Sequence, residues 1–255
     1  MILTIDIGNT NIVVGGIDKD KTHFIERIST VRTKTELEYA IDIKLLLDIN
    51  KIKAEQIEGG IISSVVPQIT NIVKIAAEKI LKTEVMVLAA GVKTGLNIKI
   101  DNPAQLGADL VANAVAGINN YPVPLIIIDM GTATTLSVVD EKKQYIGGMI
   151  LPGPRISLDA LTARASQLSG ISLEAPKNIV GKNTIECMKS GIVYSNAAAM
   201  DGMIERIEEE IGCKATVVAT GGLAKSIIPH CKREVILDEE LMLKGLYIIY
   251  EKNKQ

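Results

Sequence analysis

Leu3-Thr4-Ile5-Asp6-Ile7-Gly8-Asn9-Thr10 is a β-branched-rich run ending in Asp-x-Gly and polar residues. At an offset of 123 residues the chain reads Ile126-Ile127-Ile128-Asp129-Met130-Gly131-Thr132-Ala133. Each run is followed by a second apolar run (Ile12-Val13-Val14; Leu136-Ser137-Val138-Val139) and a third (Thr22-His23-Phe24-Ile25; Gln144-Tyr145-Ile146). Asp18-Lys19-Asp20 and Asp140-Glu141-Lys142 fall where turns are needed, so both halves are predicted to open as three-stranded meanders. Duplication at nearly half of the 255 residues predicts two related domains, 1–120 and 121–255. The break is expected at Asn119 to Pro124, where Asn-Asn-Tyr-Pro-Val-Pro ends a helix.

After each meander the pattern turns to helices alternating with strands. In the first half a helix is expected over 35–50, with apolar Leu37, Ile41, Leu45 and Leu46, then a strand at Ile61-Ile62, a helix over 67–81 and a strand over 85–88. Another helix is expected over 103–119, with Leu106, Leu110, Val111, Ala114, Val115 and Ile118 on one side and Ala108, Asp109, Ala112, Asn113 and Ala116 on the other. In the second half helices are expected over 154–168, 183–211 and 223–229, and strands over 216–219 and 234–237. Asp238 is expected to cap a final helix reaching about Tyr250. Both halves are therefore α/β layers around a sheet.

Composition removes several function classes. With 28 Lys+Arg against 30 Asp+Glu, the net charge is −2, leaving no excess of positive charge for a nucleic-acid backbone. Six Tyr, one Phe and no Trp leave few rings for stacking on bases. The longest uncharged apolar-rich stretch, Gly59 to Val73, carries Ser63, Ser64, Pro67, Gln68, Thr70 and Asn71, so no membrane span is expected. Asp6 near the start and the lack of a basic leading segment argue against a signal peptide, so a cytoplasmic protein is expected. Cys187, Cys213 and Cys231 are widely spaced and fit neither a disulfide frame nor a zinc site.

The nucleotide motifs are of an uncommon kind. Gly181-Lys182 is followed by Asn183 and preceded by Pro176 where a Walker A loop needs Gly, and no G-x-G-x-x-G follows a strand. Instead, two Asp-x-Gly turns stand at matched strand ends. A carboxylate there can hold a cation or its water shell, and Gly lets a backbone N–H approach a phosphate oxygen. One copy alone reads as a hairpin turn; the matched pair reads as two phosphate-facing turns across a cleft. A third glycine turn, Thr220-Gly221-Gly222, follows a strand and opens a helix, where backbone can lie close to adenine or ribose. Asp109 reads locally as a first-turn acid that favours the helix dipole, and Asn183 with Glu186 as a helix cap.

Six motifs, in order and over nearly the whole chain, resemble those of the acetate and sugar kinase/heat-shock protein 70/actin superfamily, and within it the type III pantothenate kinases. They are Asp6-Ile7-Gly8-Asn9-Thr10, Gly107-Ala108-Asp109, Asp129-Met130-Gly131-Thr132-Ala133-Thr134, Gly147-Gly148-Met149-Ile150-Leu151-Pro152-Gly153, Gly181-Lys182-Asn183-Thr184 and Thr220-Gly221-Gly222. The resemblance implies two actin-like (ribonuclease H-like) α/β domains with ATP in the cleft between them, and transfer of its γ-phosphoryl group to pantothenate, the first step of coenzyme A biosynthesis.

By the same resemblance, Asp109 is the catalytic base and Asp6 holds Mg²⁺ through water. Asp6, Ile7, Gly8, Asn9, Thr10, Asn11, Ile12 and Val13 line ATP with Thr132, Gly221 and Gly222. Asp129 binds a monovalent cation, K⁺ or NH₄⁺; Gly107, Ala108, Asp109 and Leu110 line the pantothenate pocket; Thr184 reaches pantothenate from the other protomer of a homodimer whose interface holds the acceptor site. Where the family commonly carries a Tyr before Asp-Asn-Pro and an Arg after the catalytic Asp, this chain has Ile100 and Leu110. Ile cannot donate a hydrogen bond and Leu cannot pair with a carboxylate. Two other readings share the fold: a nucleotide-binding regulator without turnover, and a kinase for another small alcohol.

Overall fold

The computed structural model describes residues 1–164 and 170–254. In chain order its elements begin with β1 (Ile2–Ile7), β2 (Asn11–Ile17), β3 (Thr22–Ser29), α1 (Glu36–Ile49), β4 (Gly60–Ser64), α2 (Pro67–Leu81), β5 (Val85–Val87), β6 (Asn97–Ile98) and α3 (Ala108–Asn120). They continue with β7 (Leu125–Met130), β8 (Ala133–Val139), β9 (Gln144–Pro152), α4 (Pro154–Arg164), α5 (Thr184–Ile211), β10 (Thr216–Thr220), α6 (Ala224–Ile227), β11 (Ile236–Leu237) and α7 (Leu241–Asn253). The helix expected over 154–168 is seen to Arg164; its last four positions lie outside the described residues.

The first compact unit comprises Met1–Leu96, Asp101–Asn119 and Glu240–Gln255. Its sheet has the order β3-β2-β1-β4-β5, antiparallel through the meander and parallel from β1 to β4 and β5. Alternation puts Leu3, Ile5 and Ile7 on one face, where they pack with Ile62, Tyr39, Ile43, Leu47, Ile69 and Val73. α1 starts at a capping box: the Glu38 N–H donates to Thr35 Oγ1 (3.4 Å) and the Thr35 N–H to Glu38 Oε2 (2.8 Å). α2 starts with Pro67 at its first position, where a missing N–H costs nothing. Of the apolar positions expected on α1, Leu46 is buried whereas Leu37, Ile41 and Leu45 are exposed. The stripe that includes Tyr39 wins, because its hydroxyl donates to the Val31 carbonyl (2.8 Å) and accepts from the Val31 N–H (3.1 Å), tying helix to loop.

The second unit comprises Asn97–Ile100 and Asn120–Glu239. Its sheet has the order β11-β10-β7-β8-β9-β6 and repeats the first topology, with β6 added in parallel to β9. The sequence pattern did not announce β6. β1 and β7 share one burial pattern, four buried residues, one half-buried aspartate and one buried residue. Both meanders carry a register shift, between Gly16 and Ile17 in one and between Val138 and Val139 in the other. The core sets Ile126, Ile128, Met130, Leu136 and Val138 against Val193, Ala197, Met200 and Ile204 of α5.

Three expectations change. A single cut at 120/121 does not describe the units, because α7 returns to the first one. Gly15 makes room for it: a Cβ there would lie 2.7 Å from Leu243, and the bare Gly245 packs on the backbone of Ala112 in α3. That contact also explains why the small-residue face of α3 is buried; Ala112, Asn113 and Ala116 are all inaccessible. The helix expected from 103 is interrupted. Pro103–Gln105 forms a 3-10 turn under Asn102, Leu106 is extended, and α3 starts at Ala108. Asp238 is not the cap of α7, whose first-turn flank is Glu240; it is buried and accepts from the Tyr121 hydroxyl at 2.7 Å. Among the described residues no helix is long and apolar enough to cross a membrane, and the three cysteines are free.

Candidate active site

In the first unit, Asp6 is the half-buried position of an otherwise buried strand, paired in register with Val13 on β2 and Ser63 on β4. The turn after it closes through the Gly8 N–H donating to the Asn11 carbonyl (3.0 Å). A Cβ on Gly8 would lie 3.0 Å from the same oxygen, so the turn is as tight as a glycine allows. Thr30, at the end of β3, braces it: its hydroxyl donates to the Gly8 carbonyl (2.7 Å) and its N–H to the Thr10 carbonyl (3.0 Å). Arg32 reaches Asn9 Oδ1 at 3.4 Å, bringing a guanidinium to the turn. The exposed side chains are those of Asn9, Thr10 and Asn11. Ile7 and Ile12 point into the core, so from that segment they offer a ligand only their main chain.

Asp109 sits in the first turn of α3, half-buried, with Gly107, Ala108 and Leu110 equally so. Its Oδ1 accepts from the Leu110 N–H (2.9 Å). Gly107 is what lets the carboxylate fold back over the helix start, since a Cβ there would collide with Oδ1. Burial raises the Asp109 carboxyl above its ordinary value, against the opposing pull of the Leu110 and Asp109 N–H groups. A carboxylate so placed is a stronger base than a solvated one.

In the second unit, Asp129 is likewise half-buried, in register with Thr135 on β8 and Thr220 on β10. The Gly131 N–H donates to the Ala133 carbonyl (3.0 Å). β8 begins at Ala133 and β2 at Asn11, so the second turn is one residue shorter than the first. Gly221, at φ +93°, is pressed onto it: a Cβ would lie 2.6 Å from both Asp129 Oδ1 and the Met130 nitrogen, and the Leu223 N–H donates to the Met130 carbonyl (3.1 Å). A Cβ on Gly153 would lie 2.7 Å from the Gly131 carbonyl. Three of the glycine motifs thus meet around Asp129 and the exposed Thr132.

Thr184 opens α5 and is exposed; Asn183 caps the helix, accepting the Glu186 N–H at 3.0 Å. Ile179, Val180 and Ile185 beside it are exposed as well. Sequence reasoning missed Thr30 and Arg32, which carry no motif of their own. Ser63 reads in the sequence only as an interruption of an apolar stretch, although a doubled serine after an apolar strand signals the strand's polar end. Among the described residues no group of three or more His, Cys, Asp or Glu side chains gathers as a metal site.

Known proteins resemble the chain over its full length. The sequence profile described as type III pantothenate kinase matches residues 2–206. The type III pantothenate kinase of an Exiguobacterium species is 48% identical over all 255 residues, covering 100% of both chains. That of Bacillus cytotoxicus is 46% identical over 253 residues, 99% of this chain and 97% of its own. Among solved structures, component A of (R)-2-hydroxyglutaryl-CoA dehydratase from Acidaminococcus fermentans superposes with a TM-score of 0.60 at 15% identity, covering 100% of this chain and 99% of its own. At that identity the likeness speaks to the fold, and the two sheets of like topology are those of the actin-like class. With a matching profile over most of its length and relatives alike from end to end, the chain belongs to the type III pantothenate kinase family.

Proposed function

We propose that this protein transfers the γ-phosphoryl group of ATP to the primary hydroxyl of pantothenate, and that Asp109 is its general base. The observation that carries the residue assignment is the half-buried carboxylate at the start of α3 with its raised proton affinity. It would accept the hydroxyl proton as that oxygen attacks phosphorus in line, help worth roughly 10²–10⁴ in rate. The remainder is positioning and charge neutralisation. The Gly8 turn would offer backbone N–H groups and the side chains of Asn9, Thr10 and Asn11 to phosphate oxygens, with Arg32 adding positive charge.

A strand-end carboxylate suits Mg²⁺, which binds through one or two protein carboxylates, retained waters and substrate phosphates. Asp6 would hold its water shell, and the ion when bound neutralises charge on the transferring group. Asp129 would take K⁺ or NH₄⁺: it is a half-buried carboxylate packed against the Gly221 turn. Thr132, Gly221 and Gly222 would contact the nucleotide. The acceptor would lie along Gly107, Ala108, Asp109 and Leu110, completed by Thr184 of a second protomer. The exposed apolar Ile179, Val180 and Ile185 beside Thr184 favour that homodimer. With Leu110 following Asp109 and Ile100 before the next segment, the pantothenate carboxylate would be held by groups other than an Arg or a Tyr at these places.

An assay of the purified protein with ATP, pantothenate, Mg²⁺ and K⁺ tests this reading. Formation of 4'-phosphopantothenate is expected. Nucleotide binding with no product would instead indicate the regulator reading, and turnover only with a different alcohol would indicate the other kinase.

A further inference from the structure

Ser63 is fully buried, and its hydroxyl has no hydrogen-bond partner. The fold makes no use of it. Its neighbour Ser64 is committed, accepting from the Val66 N–H (3.1 Å) and the Thr70 hydroxyl (2.7 Å). Thr4, a hydroxyl on the same face of the sheet, donates to the Gly15 carbonyl at 3.1 Å. Ile61, two residues before Ser63 and on the same face, is apolar and buried. A buried hydroxyl left without a partner destabilises a fold, so its presence calls for a use outside the fold.

Its place supplies one. In the parallel β1–β4 pair Ser63 is the register partner of Asp6, so the two side chains leave the sheet on the same face as neighbours. The duplication repeats the arrangement: in the β7–β10 pair the register partner of Asp129 is Thr220, again a buried hydroxyl residue. Each motif aspartate therefore has a hydroxyl beside it on the adjoining parallel strand, although the surrounding sequences differ.

We propose that Ser63 is a positioning residue whose hydroxyl donates to the Asp6 carboxylate when that group turns to the hydrated Mg²⁺ of MgATP, fixing the orientation of the carboxylate toward the metal's water shell. The proposal rests on the assignment of Asp6 to Mg²⁺ made above. A hydroxyl spent this way contributes nothing to the ligand-free fold and something to the loaded one.

The test compares the Ser63→Ala, Ser63→Thr and Asp6→Asn variants of the full chain. Three quantities are read: the thermal midpoint without ligand, the rise of that midpoint on adding MgATP, and the Mg²⁺ concentration giving half-maximal rate. Ser63→Ala is expected to unfold at the same or a higher temperature without ligand. With MgATP its midpoint should rise less than that of the wild type, and its half-maximal Mg²⁺ should increase about tenfold, the worth of one hydrogen bond to a charged group. Ser63→Thr, which copies the Asp129–Thr220 pairing of the second unit, should recover most of the Mg²⁺ response. If Asp6→Asn impairs the response and Ser63→Ala leaves it unchanged, Ser63 has no such role. A lowered ligand-free midpoint for Ser63→Ala with an unchanged Mg²⁺ requirement also overturns the proposal, because it makes the residue structural. An unimpaired Asp6→Asn would instead overturn the assignment of Asp6 on which it rests.

Discussion

Asp109 joins two demands in one carboxylate. Its raised proton affinity comes first from lost solvation, which makes it a better base and a less comfortable part of the fold. Because the folded protein holds that proton more tightly than the unfolded chain, the group costs stability as pH rises from the ordinary Asp range through its raised value. Asp109→Asn should therefore lower kcat by about 10²–10⁴ while raising the urea midpoint at pH 7. The acidic limb of the wild-type kcat/KM profile should lie above the ordinary Asp range. Gly221 is constrained differently, by a left-handed backbone and by contact with Asp129 Oδ1. Gly221→Ala should cost about 3 kcal/mol in thermal or urea unfolding and weaken nucleotide binding with it. Gly131→Ala, whose new methyl would meet atoms no closer than 3.7 Å, should leave stability near that of the wild type. At this scale the two strand-end aspartates and the glycine turns after them were legible from the matched pair of motifs, not from either copy alone. The buttress from Thr30 was not, because a threonine at a strand end has no distinguishing pattern until the strand's partner is known.

Elements are held by a few side chains with long reach. Glu208, buried near the end of α5, accepts from Lys214 (2.6 Å), the Ala215 N–H (3.0 Å) and Arg233 (2.8 Å), and so ties α5 to the start of β10 and to the approach to β11. Burial pushes its carboxyl up, but the hydrogen bonds from Lys214 and Ala215 and the Arg233 charge outweigh it and leave the pKa lowered. The stability it supplies is thus present above the ordinary Glu value and is lost as pH falls through the lowered one. Glu208→Gln should cost about 1–2 kcal/mol in urea unfolding at pH 7, since Lys214 is largely solvated, and the difference from wild type should vanish in acid. Elements with caps and a clear period were legible: α2 runs over the residues expected, 67–81. α1 was legible as a helix but its inward face was not, because two apolar stripes compete and a tyrosine hydroxyl decides between them. The break before α3 was hidden because Leu106 keeps the apolar period with Leu110 across a non-helical link.

At the scale of the whole molecule, the duplication found in the strands extends to topology, burial pattern and bulge position, and it was legible because both copies keep β-branched cores. The return of α7 was not. The helix docks through Gly15 of β2, its own Gly245 and the small residues of α3, and an absent side chain leaves no periodic trace in the sequence. The expected outcome is direct. A fragment of residues 1–120 should fail to show a cooperative urea transition, whereas the same fragment joined through a flexible linker to residues 240–255 should regain one. Thr22 to Glu240 (2.9 Å) and Lys93 to Asn253 (3.1 Å) would serve as markers of correct docking in that joined fragment.

The position of α7 in the chain also governs the order of events during synthesis. Residues 101–119 leave the ribosome early, but the helix that must cover the β1–β4 surface beside them is made only after the entire second unit. At about 5–20 residues per second the wait is on the order of ten seconds. The second unit is then free to mature on the nascent chain while the first stays open on the side that carries Asp6. Of the two units, the one whose strands are made earlier is thus the later to be completed, and its β1–β4 face stays uncovered during that interval.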